Sequence, residues 1–152
     1  MAQKDICRSL AELNNLIHRQ IIKEYASKED NENPHSMSQS GSCIIAYLND
    51  HKDTDVYGRD LEQEFMVRRS TMSKVLTLLE QKGLIKRVDV NYDRRLKKIE
   101  LTEKAQLYAD KIISHRTRLE NTLTQGVGEE ELNAFRLTLE KLKQNMSKEE
   151  IQ

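Results

Sequence analysis

Ten basic side chains fall between Arg68 and Ile99: Arg68, Arg69, Lys74, Lys82, Lys86, Arg87, Arg94, Arg95, Lys97 and Lys98. Only Glu80, Asp89 and Asp93 oppose them, a local excess of +7 in a chain whose formal net charge is zero. The remaining residues carry the compensating −7. Guanidinium and ammonium groups offer full charge and N–H donors to phosphate oxygens and base edges. Gathering the excess into one short segment builds a surface that faces a polyanion, and nucleic acid is the polyanion it fits best.

The elements around these side chains decide where they point. Met72, Val75, Leu76 and Leu79 recur at helical spacing, which predicts a helix over 68–82 with those residues on its core face. Arg69, Ser70, Ser73, Lys74 and Thr77 then lie on the opposite side, and Gly83 supplies the left-handed cap that ends the helix. Two β-like runs follow, Leu84–Val90 and Leu96–Leu101. They flank Asn91-Tyr92-Asp93-Arg94-Arg95, which predicts a hairpin whose tip is too long for a two-residue turn. Upstream, Gly58–Phe65 reads as a short helix, and Ser40–Asn49 as another with the apolar set Cys43, Ile44, Ala46, Tyr47 and Leu48.

Helix, short helix, longer helix and hairpin, in that order, make a winged helix-turn-helix. The longer helix is the candidate reader of a major groove, and its first turn offers unpaired N–H groups and a positive dipole end to a phosphate. The hairpin is the candidate wing, with an arginine able to enter the adjacent minor groove. Neutralising about six phosphates per half-site predicts an affinity that falls by roughly three decades between about 50 and 200 mM salt.

Helical regions flank this unit. Ile6, Leu10, Leu13, Leu16, Ile17 and Ile21 follow the helical period from about Asp5 to Lys28. Ser27–Ser42 is polar, holds the only proline and reads as a loop. Thr102 caps a long helix to about Thr124 with Tyr108, Ile112, His115, Leu119 and Thr122 along one stripe. After Gly126 and Gly128, Leu132, Phe135, Leu139, Leu142 and Met146 form a heptad seam. So much amphipathic helix around a small winged unit predicts burial against a second copy of the chain. The expected fold class is therefore mainly α with a small β wing. It comprises a DNA-binding region over 40–101 and a helical dimerisation region from both termini, over 1–30 and 102–147, within one domain of 152 residues.

Composition agrees. Charged residues make up 33% of the chain, and one proline and five glycines leave room for long helices. No apolar run reaches the roughly 18 residues needed to cross a bilayer, and Met1–Leu10 lacks a signal-peptide core. A cytoplasmic protein with no membrane partner is expected, and in that setting Cys7 and Cys43 are free thiols. There is no phosphate-cradling glycine loop, nucleophile motif or paired carboxylate set, so neither an enzyme nor a cofactor is expected.

The segment Leu61–Leu101 resembles the DNA-binding unit of the multiple-antibiotic-resistance regulator (MarR) family. Ser70-Thr71-Met72-Ser73-Lys74, followed by Leu79-Glu80-Gln81-Lys82-Gly83-Leu84-Ile85-Lys86-Arg87, is similar to that family's recognition helix and its exit into the wing. Asp93-Arg94-Arg95 matches the D-x-R wing tip, and Ile99-Glu100-Leu101-Thr102 the close of the wing. The resemblance implies a homodimer on a pseudopalindromic site in double-stranded DNA, acting as a repressor released by a small-molecule effector. It implies Arg95 as the minor-groove arginine, Asp93 as a brace of the wing through an ion pair, and Arg69, Ser70, Thr71, Ser73 and Lys74 at the major groove. Two departures touch this surface: Arg68 stands where relatives often place a small N-cap, and Glu62 where a small alanine is usual.

The DNA-contact candidates are thus Arg68, Arg69, Ser70, Thr71, Ser73, Lys74, Thr77, Asp93, Arg94 and Arg95. Arg95 could serve as a general phosphate contact instead of a groove reader, and Asp93 as a turn residue instead of a brace. His18 and Arg19 in the first helix, with Tyr47 in the second, are candidates to line an effector pocket; packing or dimer contacts are the alternative. Two other regulators of the same fold stay open, one redox-responsive through Cys7 or Cys43, the other metal-responsive through the scattered His18, His35, His51 and His115. A winged-helix module that binds other proteins is the remaining class, and it has no need of +7 on reader and wing.

Overall fold

The computed structural model describes residues 5–26 and 39–149. In chain order these form α1 (Ile6–Ala26), α2 (Gln39–Asp50), α3 (Gly58–Glu64), α4 (Arg69–Gln81), β1 (Ile85–Val90), β2 (Asp93–Leu101), α5 (Glu103–Thr124) and α6 (Glu129–Glu149). The expected fold class, mainly α with a small β wing, is what the chain adopts. Most of the polar loop expected at Ser27–Ser42 lies outside the described residues, and its last residues, from Gln39, belong to α2.

Local chemistry sets most of the element ends. Asp5 starts α1 by accepting the Arg8 N–H through Oδ1 at 2.7 Å, the short polar cap that N-terminal N–H groups require. Thr102 does the same for α5, its Oγ1 accepting the Ala105 N–H at 3.2 Å. The same hydroxyl donates to the Gly83 carbonyl at 2.7 Å, which ties the start of α5 to the end of α4. Gly83 adopts φ +68°, as expected for a left-handed cap.

The chain divides after Arg116 into two compact units. In the first, α2, α3, α4, the hairpin and the start of α5 share one core. Ile44, Ile45, Leu61, Leu79, Ile85 and Ile112 are its largest fully buried side chains, each contributing roughly 1.5–3 kcal/mol of apolar burial. Met72, Leu76 and Leu79 are the buried face of α4, with Val75 half-buried beside them. This leaves the polar face of α4 outward.

The hairpin differs from its sequence-based expectation. Val90 pairs with Asp93, so Asn91 and Tyr92 alone make the turn, and Asp93–Arg95 belong to β2. The residues that read as a long tip are accommodated by a register shift instead: pairing jumps from Asp89↔Lys97 to Val90↔Asp93. Asn is one of the residues that accept the backbone of a tight hairpin turn, and the bulge takes up the surplus chain. Below it the strands are in regular antiparallel register from Ile85↔Leu101 to Asp89↔Lys97. Opposite charges meet across this ladder, Lys86 with Glu100 at 3.0 Å and Lys97 with Asp89. A one-residue slip would break both pairs and expose Ile85 and Ile99.

In the second unit, Gly128 donates its N–H to Glu131 Oε2 at 2.9 Å at the start of α6. Glu129, Glu130 and Glu131 in the first turn suit the positive end of the helix dipole. Of the heptad seam, Leu132, Leu139 and Leu142 are half-buried, whereas Phe135 and Met146 are exposed.

Candidate nucleic-acid interface

Every named polar residue of α4 is at the surface: Arg69, Ser70, Thr71, Ser73, Lys74 and Thr77 are all exposed, as is Arg68 at the N-cap. Arg68 has extended backbone (φ −68°, ψ 149°) and makes no side-chain cap hydrogen bond. Its carbonyl accepts the N–H groups of Thr71 and Met72 at 2.9 and 3.0 Å. The N–H groups of Arg69 and Ser70 therefore face outward at the positive helix end, the arrangement that suits a phosphate.

The structure divides the basic residues of 68–99 by what they touch. Lys86 pairs with Glu100, Arg87 with Glu80 at 3.4 Å, Lys97 with Asp89, and Lys98 with both Asp55 (2.7 Å) and Glu100 (3.1 Å). Arg87 also donates to Thr77 Oγ1 at 3.2 Å, so Thr77 meets the wing as well as solvent. By contrast, Arg68, Arg69, Lys74 and Arg95 make no side-chain hydrogen bond or ion pair with any described residue. The first group fastens the wing to its surroundings, and the second is free to meet a ligand.

Asp93 Oδ1 accepts the Arg95 N–H at 2.9 Å, which fixes the backbone just where Arg95 leaves the bulge. Arg94 lies in β2, and its side chain is outside the described ones. Between the wing and α3–α4 opens a cleft of ≈ 370 Å³ whose charged and polar lining includes Arg59, Glu62, Arg69, Ser73, Arg87, Arg95 and Lys97. Five of these are cationic and one is acidic. Arg59, Arg87 and Lys97 were not among the sequence-derived contact candidates. The Tyr57-x-x-Asp60 spacing was the available signal for Arg59: Asp60 Oδ2 accepts the Tyr57 N–H at 2.8 Å, which starts α3 and sets Arg59 in its first turn.

Electrostatics at the wing base follow the pairing. The Lys86 and Lys98 ammonium groups hold the Glu100 carboxyl below its ordinary value of 4.5. Asp55 and Glu100 in turn raise Lys98 above 10.5. Near the wing tip the Tyr57 hydroxyl bonds that of Tyr92, and its pKa is pushed up to about 12 by that bond first and by desolvation second.

The remaining candidates are placed apart from this surface. His18 and Arg19 are exposed on α1. Tyr47 is half-buried, stacked on His51 with ring centroids 4.0 Å apart and edge-on to Phe65 at 5.9 Å. Cys7 is an exposed free thiol and Cys43 a half-buried one. Among the described residues no helix is long and apolar enough to cross a membrane.

An exposed helix following a short helix, beside a two-stranded wing, defines a winged helix-turn-helix protein. Residues 37–96 match the model of the MarR family. A solved structure of the transcription regulator MarR from Oenococcus oeni PSU-1 is similar at 29% identity, with a TM-score of 0.74, over 92% of this chain and 99% of that one. Two others share the fold at 20% identity: MepR of S. aureus in complex with DNA (TM-score 0.81, 94% of this chain, 99% of that one) and a MarR family transcriptional regulator from Listeria monocytogenes complexed with a 26mer DNA (TM-score 0.78, 97% and 92%). The match to the MarR family model thus covers the winged unit, and the chain as a whole has the fold of the MarR transcription regulator solved from O. oeni.

Proposed function

We propose that the protein is a sequence-specific regulator of transcription that binds double-stranded DNA, acting as a repressor on a pseudopalindromic operator. The carrying observation is the split among its basic residues. Arg68 at the N-cap of α4, Arg69 and Lys74 within it and Arg95 on the wing are exposed and have no side-chain partner among the described residues, while Lys86, Arg87, Lys97 and Lys98 are held in ion pairs. In this reading α4 enters the major groove, Ser70, Thr71, Ser73 and Thr77 reach base edges, and Arg94 and Arg95 approach the adjacent minor groove or its phosphates. Asp93 supports Arg95 through its backbone. Two proteins of the same fold that were solved on DNA support the assignment.

The protein is proposed to act as a homodimer. Ile6, Leu10, Leu16 and Ile22 on α1, and Phe135, Leu137 and Met146 on α6, are large apolar side chains left at the surface of a single chain. A second copy would cover them. Release by a small-molecule effector completes the reading, with His18 and Arg19 on α1 and Tyr47 on α2 as the groups offering an imidazole, a cation and an aromatic face.

The test is fluorescence anisotropy of the full-length protein with duplex DNA from upstream of its own gene, against random duplex, across a salt series. Saturable binding that prefers the upstream duplex and falls by roughly three decades between about 50 and 200 mM salt supports the proposal. Binding that ignores both sequence and salt overturns it.

A further inference from the structure

Arg95 stands in the bulge of the wing, where the sheet ladder does not hold the chain. Pairing passes from Asp89↔Lys97 directly to Val90↔Asp93, so Arg95 has no residue opposite it on β1. Apart from the Asp93 carboxylate that accepts its backbone N–H, its position depends on what fixes the turn beyond it. Tyr92 forms half of that two-residue turn and is 71% exposed, so burial does not anchor it. Its hydroxyl instead bonds the hydroxyl of Tyr57, thirty-five residues earlier in the chain.

Tyr57 is a firm post. Its N–H is held by Asp60 Oδ2 at 2.8 Å, its backbone bridges Lys98 on β2, and the neighbouring Val56 carbonyl accepts the Ile99 N–H at 2.8 Å. Tyr57 also lines the same cleft as Arg69 and Arg95. We propose that Tyr92 is a positioning residue for DNA binding: bonded to Tyr57, it clasps the wing tip to the start of α3 and so holds Arg95 over the basic cleft. This rests on the DNA-binding reading above and adds a residue pair that touches no base or phosphate itself. An exposed hydroxyl pair is the right strength for the task. A net hydrogen bond of this kind shifts an equilibrium by about 2- to 10-fold, enough to select one wing orientation without freezing the hairpin. The Tyr57 hydroxyl stays protonated well beyond neutral pH, so it can take part in this hydrogen bond at the pH of a binding assay.

The experiment uses full-length protein and a labelled duplex enriched by the wild type from a random-sequence library. Y92F, Y57F, Y57F/Y92F, R95A and Y92F/R95A are compared for affinity and thermal midpoint. The proposal predicts that Y92F and Y57F each weaken binding about 2- to 10-fold with midpoints unchanged, and that the double tyrosine variant is no weaker than either single one. It also predicts that Y92F costs nothing further once Arg95 is gone, because it acts through that arginine. Wild-type affinity in Y92F, or full additivity of Y92F with R95A, overturns the clasp while leaving DNA binding intact. A wild type that enriches no duplex overturns the DNA-binding reading, and the clasp with it.

Discussion

Met66 and Gly83 occupy the same position in two successive helix ends. Each lies one residue past the cap, at φ +50° and +68° respectively. At the end of α3, Met66 donates to Gln63 O and Val67 to Glu62 O; at the end of α4, Gly83 donates to Glu80 O and Leu84 to Leu79 O. Both are Schellman turns, and the pair of them builds the turn into α4 and the exit into the wing. Only one has the residue that left-handed backbone favours.

That difference predicts opposite responses to substitution. M66G relieves a side chain held at positive φ and should stabilise the fold by up to about 1 kcal/mol. G83A should destabilise it by about 1 kcal/mol or more. A Cβ at Gly83 would meet nothing within 4 Å, so the cost is backbone strain alone. Chemical denaturation of the two variants beside wild type checks both signs, and equal signs would refute the account of this turn.

The wing-base ion pairs predict a pH dependence. Glu100 is held below its ordinary 4.5, so its contribution is present above that value and is lost as pH falls through the lowered one. Lys98 is held above 10.5, so its contribution is complete below that value and is lost as pH rises further. Between the two, the network is insensitive to pH. E100Q should lower the thermal midpoint slightly at neutral pH, and the gap from wild type should close in acid. A gap that persists in strong acid would mean that Glu100 acts by packing.

Self-association makes a third prediction. L16E on α1 or F135E on α6 places a charge within an apolar surface and should convert a dimer to monomer in sedimentation equilibrium while the helical circular-dichroism signal is kept. A wild type that sediments as a monomer would contradict the dimer.

Much of this was legible in the chain because it depended on neighbours in sequence. The α4 core face, the Gly83 cap and the Thr102 cap each follow from spacing over a few residues. The wing tip did not. The five polar residues Asn91–Arg95 look like one long turn, and only the register of the distant partner strand shows that Asn91-Tyr92 closes the hairpin and Arg94–Leu96 bulge. Met66 was invisible for a related reason: nothing about methionine signals a left-handed cap. The ten basic residues are likewise plain in the sequence, but which of them are paired depends on contacts made through the fold. Asp55 reaches Lys98 from outside the basic segment, and Glu80 reaches Arg87 from α4 to β1.

The salt dependence of DNA binding in R95A and K86A separates the unpartnered basic residues from the paired ones. Both remove one positive charge from the same segment, but Arg95 is unpartnered among the described residues and Lys86 is paired with Glu100. R95A should weaken binding and reduce the slope of log K against log salt by about 1, whereas K86A should leave that slope near wild type. Equal slopes in the two variants would contradict the claim that unpartnered residues, not the basic segment as a whole, meet the phosphates.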